Sequence, residues 1–481
     1  MKVSQTSSKD KSLHRTFTLW DLSSLSISSV GPAFSISAAA GVMIGYSGVY
    51  SLMAMLLIAI PFVLSAFIFR MLNRSFPQSG ASYHWSGRVL GRGASRFQGW
   101  VLILAYFTSL PPIVLPAAQY TIALIHPGWQ TNVLAEFSIS SFWLVFASFP
   151  LLSGARPTAR VTQIFLAIEI VFLVLFAALG AAALPHSHFP AFGGRFPVAG
   201  VLLTMVVATT ILDGWEIDSY ASEEAEKPTR DPGVGGIIGA LIALLIYAIL
   251  LPLMLAETPL AELANSPDPM VAWAQHLTPR MSPLLARVML IPILASTAGS
   301  LWLTGYILIR ALFAMGRDRL LPVYFATLNR RGSPGFATLV VFGVLWAITA
   351  LQLFVSSLST FFAIILSAAG FFLTLEFMLD NLTATVFVWR SRSVSGKVSF
   401  QLLFMGAVSA FTFVYLALVL VAFLLLSPRV ISSWTDITIL CLLVFGVGFT
   451  FFPSRVRQGI YIVPVSKELT VTESERDALQ M

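Results

Sequence analysis

Charge is scarce in this chain. Only 11% of its 481 residues are Asp, Glu, Lys or Arg, against 57% hydrophobic residues, which excludes an ordinary water-soluble surface. Cysteine is scarcer still: the lone Cys441 rules out an intrachain disulfide. The few histidines (His14, His84, His126, His186, His188 and His276) bring only His186 and His188 close together. That pair is isolated and none of the six makes a metal-ligand cluster at membrane depth, so no metal site is expected. There is no Walker motif, no Gly-X-Ser-X-Gly and no His-Glu-X-X-His, so neither direct ATP use nor a common intramembrane hydrolase is indicated. No connection is long enough for a soluble catalytic domain.

Long apolar runs are what the chain has in abundance. An all-α polytopic membrane protein with about twelve crossings is expected, at 18–43, 48–69, 98–125, 138–154, 159–184, 198–220, 234–256, 284–313, 335–355, 358–389, 400–426 and 433–453. The net charge of +7 could suggest an anionic partner, but its distribution follows the positive-inside rule instead. With a cytoplasmic N-terminus, every Lys and Arg except Arg195, Arg280, Arg287 and Arg429 falls on the cytoplasmic side. An even span count then puts both termini there, and no nucleic acid partner is expected. Residues 1–16 and 455–481 read as cytoplasmic tails, 17–390 as a core of ten spans, and 391–454 as two peripheral spans. The first apolar segment is too long for a cleavable signal peptide. Asn381-Leu382-Thr383 matches the glycosylation pattern but lies within a span. Compact loops without a usable glycosylation site point to a prokaryotic inner membrane.

Two of the runs are interrupted. The first reads Val30-Gly31-Pro32-Ala33-Phe34-Ser35 and the sixth Leu212-Asp213-Gly214-Trp215-Glu216. Gly and Pro halt a helix, and backbone groups freed at membrane depth must be satisfied by protein, water or ligand. Broken helices at matching places in two halves point to a solute-binding site. Ionisable residues inside the spans add to this, because each is costly there and marks a pathway or a paired structural site. They are Glu169 in span five, Asp213 and Glu216 at the second break, and Glu376 and Asp380 in span ten. For Glu169 a proton-taking role and a packing role are both open. Glu216 is expected to steady the broken helix, and Glu376 reads first as structural. The loop at 70–97 can form interfacial helices, and Leu260-Ala261-Glu262-Leu263 a short surface helix.

Four stretches carry a resemblance. Phe76-Pro77-Gln78-Ser79-Gly80-Ala81-Ser82-Tyr83 with Gly99-Trp100, Ala155-Arg156-Pro157-Thr158-Ala159-Arg160-Val161-Thr162-Gln163, Asp213-Gly214-Trp215-Glu216 through Glu223-Glu224-Ala225-Glu226-Lys227-Pro228, and Arg310-Ala311-Leu312-Phe313-Ala314-Met315-Gly316-Arg317-Asp318 through Asn329-Arg330-Arg331-Gly332-Ser333-Pro334 occur in order. Together they resemble the signatures of the amino acid–polyamine–organocation superfamily of secondary transporters. The resemblance runs from about residue 15 to 335 and weakens over the last four spans. It implies a LeuT-type 5+5 inverted repeat, with helices 1 and 6 discontinuous. The chain departs at the first break, where Gly31-Pro32-Ala33 stands in place of Gly-X-Gly.

The resemblance also implies a site. The backbone around Ser29, Gly31, Pro32, Ala33 and Phe34 would take a substrate carboxylate on free amides at a helix N-terminus. Carbonyls near Ile211, Asp213 and Gly214 would take the ammonium. Tyr106, Trp215, Ser296, Ser300, Trp302 and Phe361 or Phe362 are expected around the substrate side chain, Trp215 as a gate. Glu169, Glu216, Ser296 and Glu376 are the coupling or gating candidates. In this family a Lys often stands at the position of Glu169, where it replaces a coupling cation. The function implied is amino acid transport by alternating access, through proton-coupled symport or exchange, with a neutral amino acid favoured. A polyamine or organic amine transporter and a nontransporting amino acid sensor are the alternatives. No cofactor is expected beyond the coupling ion, a proton, or sodium held by Ser296, Thr297 and Ser300. A monomer or weak homo-oligomer in the lipid bilayer is expected.

Overall fold

The computed structural model describes residues 13–187, 189–193, 196–354, 358–395, 399–426 and 433–451. Residues 1–12, the C-terminal tail, Arg195 and Arg429 lie outside the described residues, as do the side chains of Phe361 and Phe362. Among the described residues the chain is helical, and its one β-bridge is an isolated contact of Phe17 with Ala225.

Helix α1 (Leu19–Val30) starts on a capping box. Thr18 accepts from the amide of Asp21 and donates its own amide to Asp21 Oδ2 at 2.9 Å, which satisfies two donors that the first turn leaves without partners. It ends at Gly31, and α2 (Pro32–Ser47) resumes at once with Pro in its first turn, where a missing N–H costs nothing. Then come α3 (Ser51–Ser75), α4 (Ala81–Val89), α5 (Arg92–Ser109), α6 (Pro111–Ile125), α7 (Val133–Ser153) and α8 (Ala155–Ala183). The second half of the core holds α9 (Val198–Leu212), the short α10 (Ile217–Tyr220) and α11 (Val234–Glu257). Next are α12 (Leu260–Asn265), α13 (Pro269–Leu277), α14 (Ser282–Arg317), α15 (Gly335–Ala350) and α16 (Leu358–Ser395). Helices α17 (Phe400–Leu426) and α18 (Ser433–Phe451) close the chain.

By length and composition, eight segments among the described residues suffice to cross a membrane. The first, Leu19–Ser75, contains both α1–α2 and α3, and three shorter apolar helices accompany the eight. The surface helix at Leu260 and a helix in the 70–97 loop form as expected, as α12 and α4. One difference from the sequence reading is instructive. The run 98–125 is two helices, because Pro111 and Pro112 stand at the start of α6, where Pro can donate no backbone hydrogen bond and would clash with a continuing turn.

Polarity is distributed inside out. Phe142, Val145 and Phe149 on α7, Val171 and Val174 on α8, and Leu418 and Val421 on α17 are more than half exposed. Such belts are too large for water and match a lipid environment. Ser296, Thr297, Ser300, Glu169, Glu216 and Glu376 are buried. Helix α14 is buried along nearly all of its length and packs against α1, α2, α6 and α8. Helix α9 lies against α2, α3 and α16. These contacts bring both interrupted helices to the centre of the bundle.

Candidate functional site

The first break is a single residue. Gly31 has φ +57° and ψ 66°, a left-handed conformation that costs an L side chain about 1–2 kcal/mol. Its carbonyl accepts from the amide of Ser35 at 2.8 Å, and Ser35 Oγ donates to the carbonyl of Val30 at 2.6 Å. Side chains meet the next two amides. Glu169 Oε1 accepts from Ala33 N at 3.0 Å and Ser296 Oγ from Phe34 N at 3.0 Å. A carboxyl oxygen of the protein itself thus stands at the N-terminus of α2, where the helix dipole favours negative charge. The other oxygen of Glu169 has no hydrogen-bond partner. Ser300 Oγ donates toward the carbonyl of Ser29 at 3.2 Å, while the hydroxyls of Ser28 and Ser29 are buried without partners.

The second break spans Asp213 to Glu216. Asp213 is extended and Gly214 has φ +109°. A Cβ on Gly214 would lie 2.8 Å from the carbonyl carbon of Ser29 and 2.9 Å from the amide of Val30. The two breaks therefore touch backbone to backbone. Glu216 ties its own loop with Oε2, accepting from Gly214 N at 2.9 Å, while Tyr106 donates to Oε1 at 2.9 Å. These contacts join Glu216 to its own loop and to α5. Ser26 Oγ donates to the carbonyl of Trp215 at 2.8 Å. Asp218 accepts from the amides of Gly233 and Gly236 and so caps the first turn of α11.

A narrow cleft of about 40 Å³ opens between the breaks, room for water but well short of the roughly 300–1,000 Å³ usual for small-molecule sites, so the two breaks lie closed on one another. Ser29, Phe34, Ile211, Asp213 and Ser300 line it, together with Val30, Ile113 and Leu366. The carbonyl of Ile211 receives the Tyr247 hydroxyl at 2.6 Å, which leaves one of its two lone pairs open. Asp213 Oδ1 has no partner. Trp215 sits beside Phe69 and Phe377, with ring centroids 5.0 and 5.4 Å away, rather than in the cleft lining. Trp302 bonds Thr162 and packs on Phe165. Thr297 donates to the carbonyl of Ile293 within its own helix. Glu376 accepts from Tyr220 at 2.8 Å.

Sequence reasoning missed Tyr247, Ser26 and Asp218, because a hydroxyl or carboxyl that serves a distant backbone group has no local signature. It also left the pairing within two signatures unread. Glu224 receives Arg310 through Nε and Nη2 at 2.8 and 2.9 Å, and Tyr306 donates to the same carboxylate. Arg317 makes two bonds to Glu223, at 2.6 and 2.7 Å, and Ser79 N donates to Glu223 at 3.0 Å. Burial pulls the Glu223 carboxyl up, but Arg317 outweighs it and holds the group below its ordinary value.

The family model described as amino acid permease matches residues 17–447. A methylthioribose transporter of Bacillus subtilis is 25% identical over 69% of this chain and 72% of its own length. A branched-chain amino acid permease of Lactococcus lactis is 22% identical over 70% of this chain and 76% of its own. A mitochondrial cationic amino acid transporter of Arabidopsis thaliana is 25% identical over 69% of this chain. Only 57% of that plant protein's length is spanned.

Proposed function

Because the chain belongs to the amino acid permease family, and is a multi-pass membrane protein rather than an enzyme, we propose that it moves amino acids across the membrane by alternating access about its two touching breaks. The observation that carries this reading is the contact of Gly214 with the backbone of Ser29 and Val30. A ligand between them meets unwound backbone from both halves, so binding and movement of either half are linked. In this reading the helices make twelve crossings, arranged as two inverted repeats and two peripheral spans, with both ends in the cytoplasm of a prokaryotic cell. The coupling ion is a proton. In support, Glu169, Asp213, Glu216, Glu376 and Asp380 are all buried, and among the described residues no Lys, Arg or His lies within 4 Å of them.

Val30, Phe34, Ile113, Ile211 and Leu366 make the cleft wall largely apolar, which supports a neutral amino acid. One observation favours a second substrate class. The unpartnered Oδ1 of Asp213, at the same wall, suits the charged end of a cationic amino acid or a polyamine. Uptake of radiolabelled amino acids and amines into proteoliposomes tests both. Saturable uptake, competed by unlabelled solute, identifies the class. Thermal stabilisation by an amino acid without flux would make the protein a sensor, and no uptake of any of these solutes would refute transport.

A further inference from the structure

The carboxylates beyond the second break form a connected set. Tyr106 bonds Glu216, and its ring lies 6.1 Å from that of Tyr220. Tyr220 donates to Glu376 Oε1 at 2.8 Å and lies 3.1 Å from Ser82 Oγ. Ser82 Oγ is 2.7 Å from Asp380 Oδ2 and 3.3 Å from Glu376 Oε1. Gln98 reaches the other oxygen of Asp380 at 3.5 Å. Glu376 and Asp380 stand one turn apart on a single face of α16, and Ser82, from the first turn of α4, lies between them.

The proton count is informative. Ser82 and Tyr220 each own one hydroxyl proton, yet four oxygen–oxygen contacts within 3.3 Å join these two residues to each other and to the carboxyls. Two protons cannot serve four contacts, and a third, held by one carboxyl, fills another. A second observation points the same way: Glu376 Oε2 is buried with no partner at all. Among the described residues no ion pair within 4 Å involves Glu376 or Asp380. The titratable groups facing the pair are Glu216 and Asp213 from the break, Tyr106 from α5 and Tyr220 from α10. Helices α3 and α17 offer Ser65, bonded to Asn381, and Ser409, bonded to Thr385. Arg96 and Arg390 reach the carbonyls of Thr450 and Val89.

We propose that Glu376 and Asp380 form a proton-binding pair, bridged by Ser82 and Tyr220, that carries the coupling proton between the second break and the α4 end of the bundle. The proposal rests on the transporter reading. Transfer across the pair conserves atoms and charge. Glu376 takes the Tyr220 proton, Tyr220 takes that of Ser82, and Ser82 is reprotonated by the acid form of Asp380. The net change is one proton moved from Asp380 to Glu376. Glu169 takes no part in this transfer and keeps its bond to the Ala33 amide.

The test uses the full chain in liposomes that enclose a pH-sensitive dye, with L-leucine and L-arginine as probes. The wild type acidifies the lumen when a probe is added outside, and it also exchanges labelled for unlabelled probe. Glu376→Gln and Asp380→Asn are expected to lose probe-driven acidification and to keep exchange. A purely structural role would not separate the two. Ser82→Ala removes the bridging hydroxyl and no charge. It is expected to show the same loss, in a variant whose folding is least at risk. Acidification at the wild-type rate in all three variants overturns the proposal. So does exchange without acidification in the wild type, which leaves transport standing. Absence of exchange of either probe in the wild type overturns both readings.

Discussion

Replacing Gly31 by Ala strikes the first break with two separable costs. The left-handed φ of +57° costs an alanine about 1–2 kcal/mol. The added Cβ would sit 2.0 Å from Ser300 Oγ and 3.1 Å from Ser296 Oγ, so Ser300 must turn away and give up its bond to the carbonyl of Ser29. That loss, about 0.5–1.5 kcal/mol for a buried hydrogen bond, brings the total to roughly 1.5–3.5 kcal/mol before the serine's new position is counted. Trimming Ser300 to Ala separates the terms, because the Cβ of Ser300 lies at 3.3 Å, a tight but tolerable contact. Relative to Ser300→Ala alone, the double variant should then lose only the backbone term of about 1–2 kcal/mol. The assay is thermal unfolding of purified protein in detergent, with uptake in liposomes beside it. If Gly31→Ala melts and transports as the wild type does, the described geometry of the break is wrong. If Ser300→Ala relieves nothing, the steric part of the reasoning fails.

Gly214→Ala differs, because its Cβ would meet the backbone of Ser29 and Val30, which no side-chain trim can move; flux is expected to fall sharply in an uptake assay, and rescue by Ser300→Ala would contradict this. Arg310 and Glu224 are 3% and 2% exposed, so Arg310→Met leaves a buried charge and should cost about 3–5 kcal/mol, while adding Glu224→Gln should recover part of it in the same melting assay. The Glu223–Arg317 tie depends on an ionised carboxylate held below its ordinary 4.5. Its contribution is full above that value and is lost as pH falls through the lower folded value. Melting profiles of wild type and Glu223→Gln should therefore converge at the acid end, and a constant difference down through that window would contradict the assignment.

The breaks were legible because Gly31-Pro32 and Asp213-Gly214 override strongly apolar runs, and little else explains such residues at membrane depth. The helices themselves were legible from hydrophobic length alone. Pro111-Pro112 was readable by the same logic, yet the long apolar run on either side masked it. The partners of the breaks were not legible. That Glu169 reaches Ala33, or Tyr247 the carbonyl of Ile211, depends on how α8 and α11 pack, and a single sequence carries no trace of that distance. Trp215 shows how little of a side chain's surroundings the sequence carries. Its place in the break suggested a gate, while its ring is taken up by Phe69 and Phe377, which contribute from α3 and α16.

Under the proposed transport function, Glu169, bonded to the Ala33 amide, would when ionised act as a tethered competitor. A carboxylate fixed beside its own binding site has an effective concentration that a free solute can match only with help from further contacts. A simple organic acid brings too few such contacts to displace it, and an amine without a carboxylate has nothing with which to compete for the amide. A solute that carries both groups binds the second break through one and challenges Glu169 with the other. Discrimination between zwitterions and their fragments then arises from an exchange of anions within the protein, and a stronger internal anion would raise the threshold for every substrate alike.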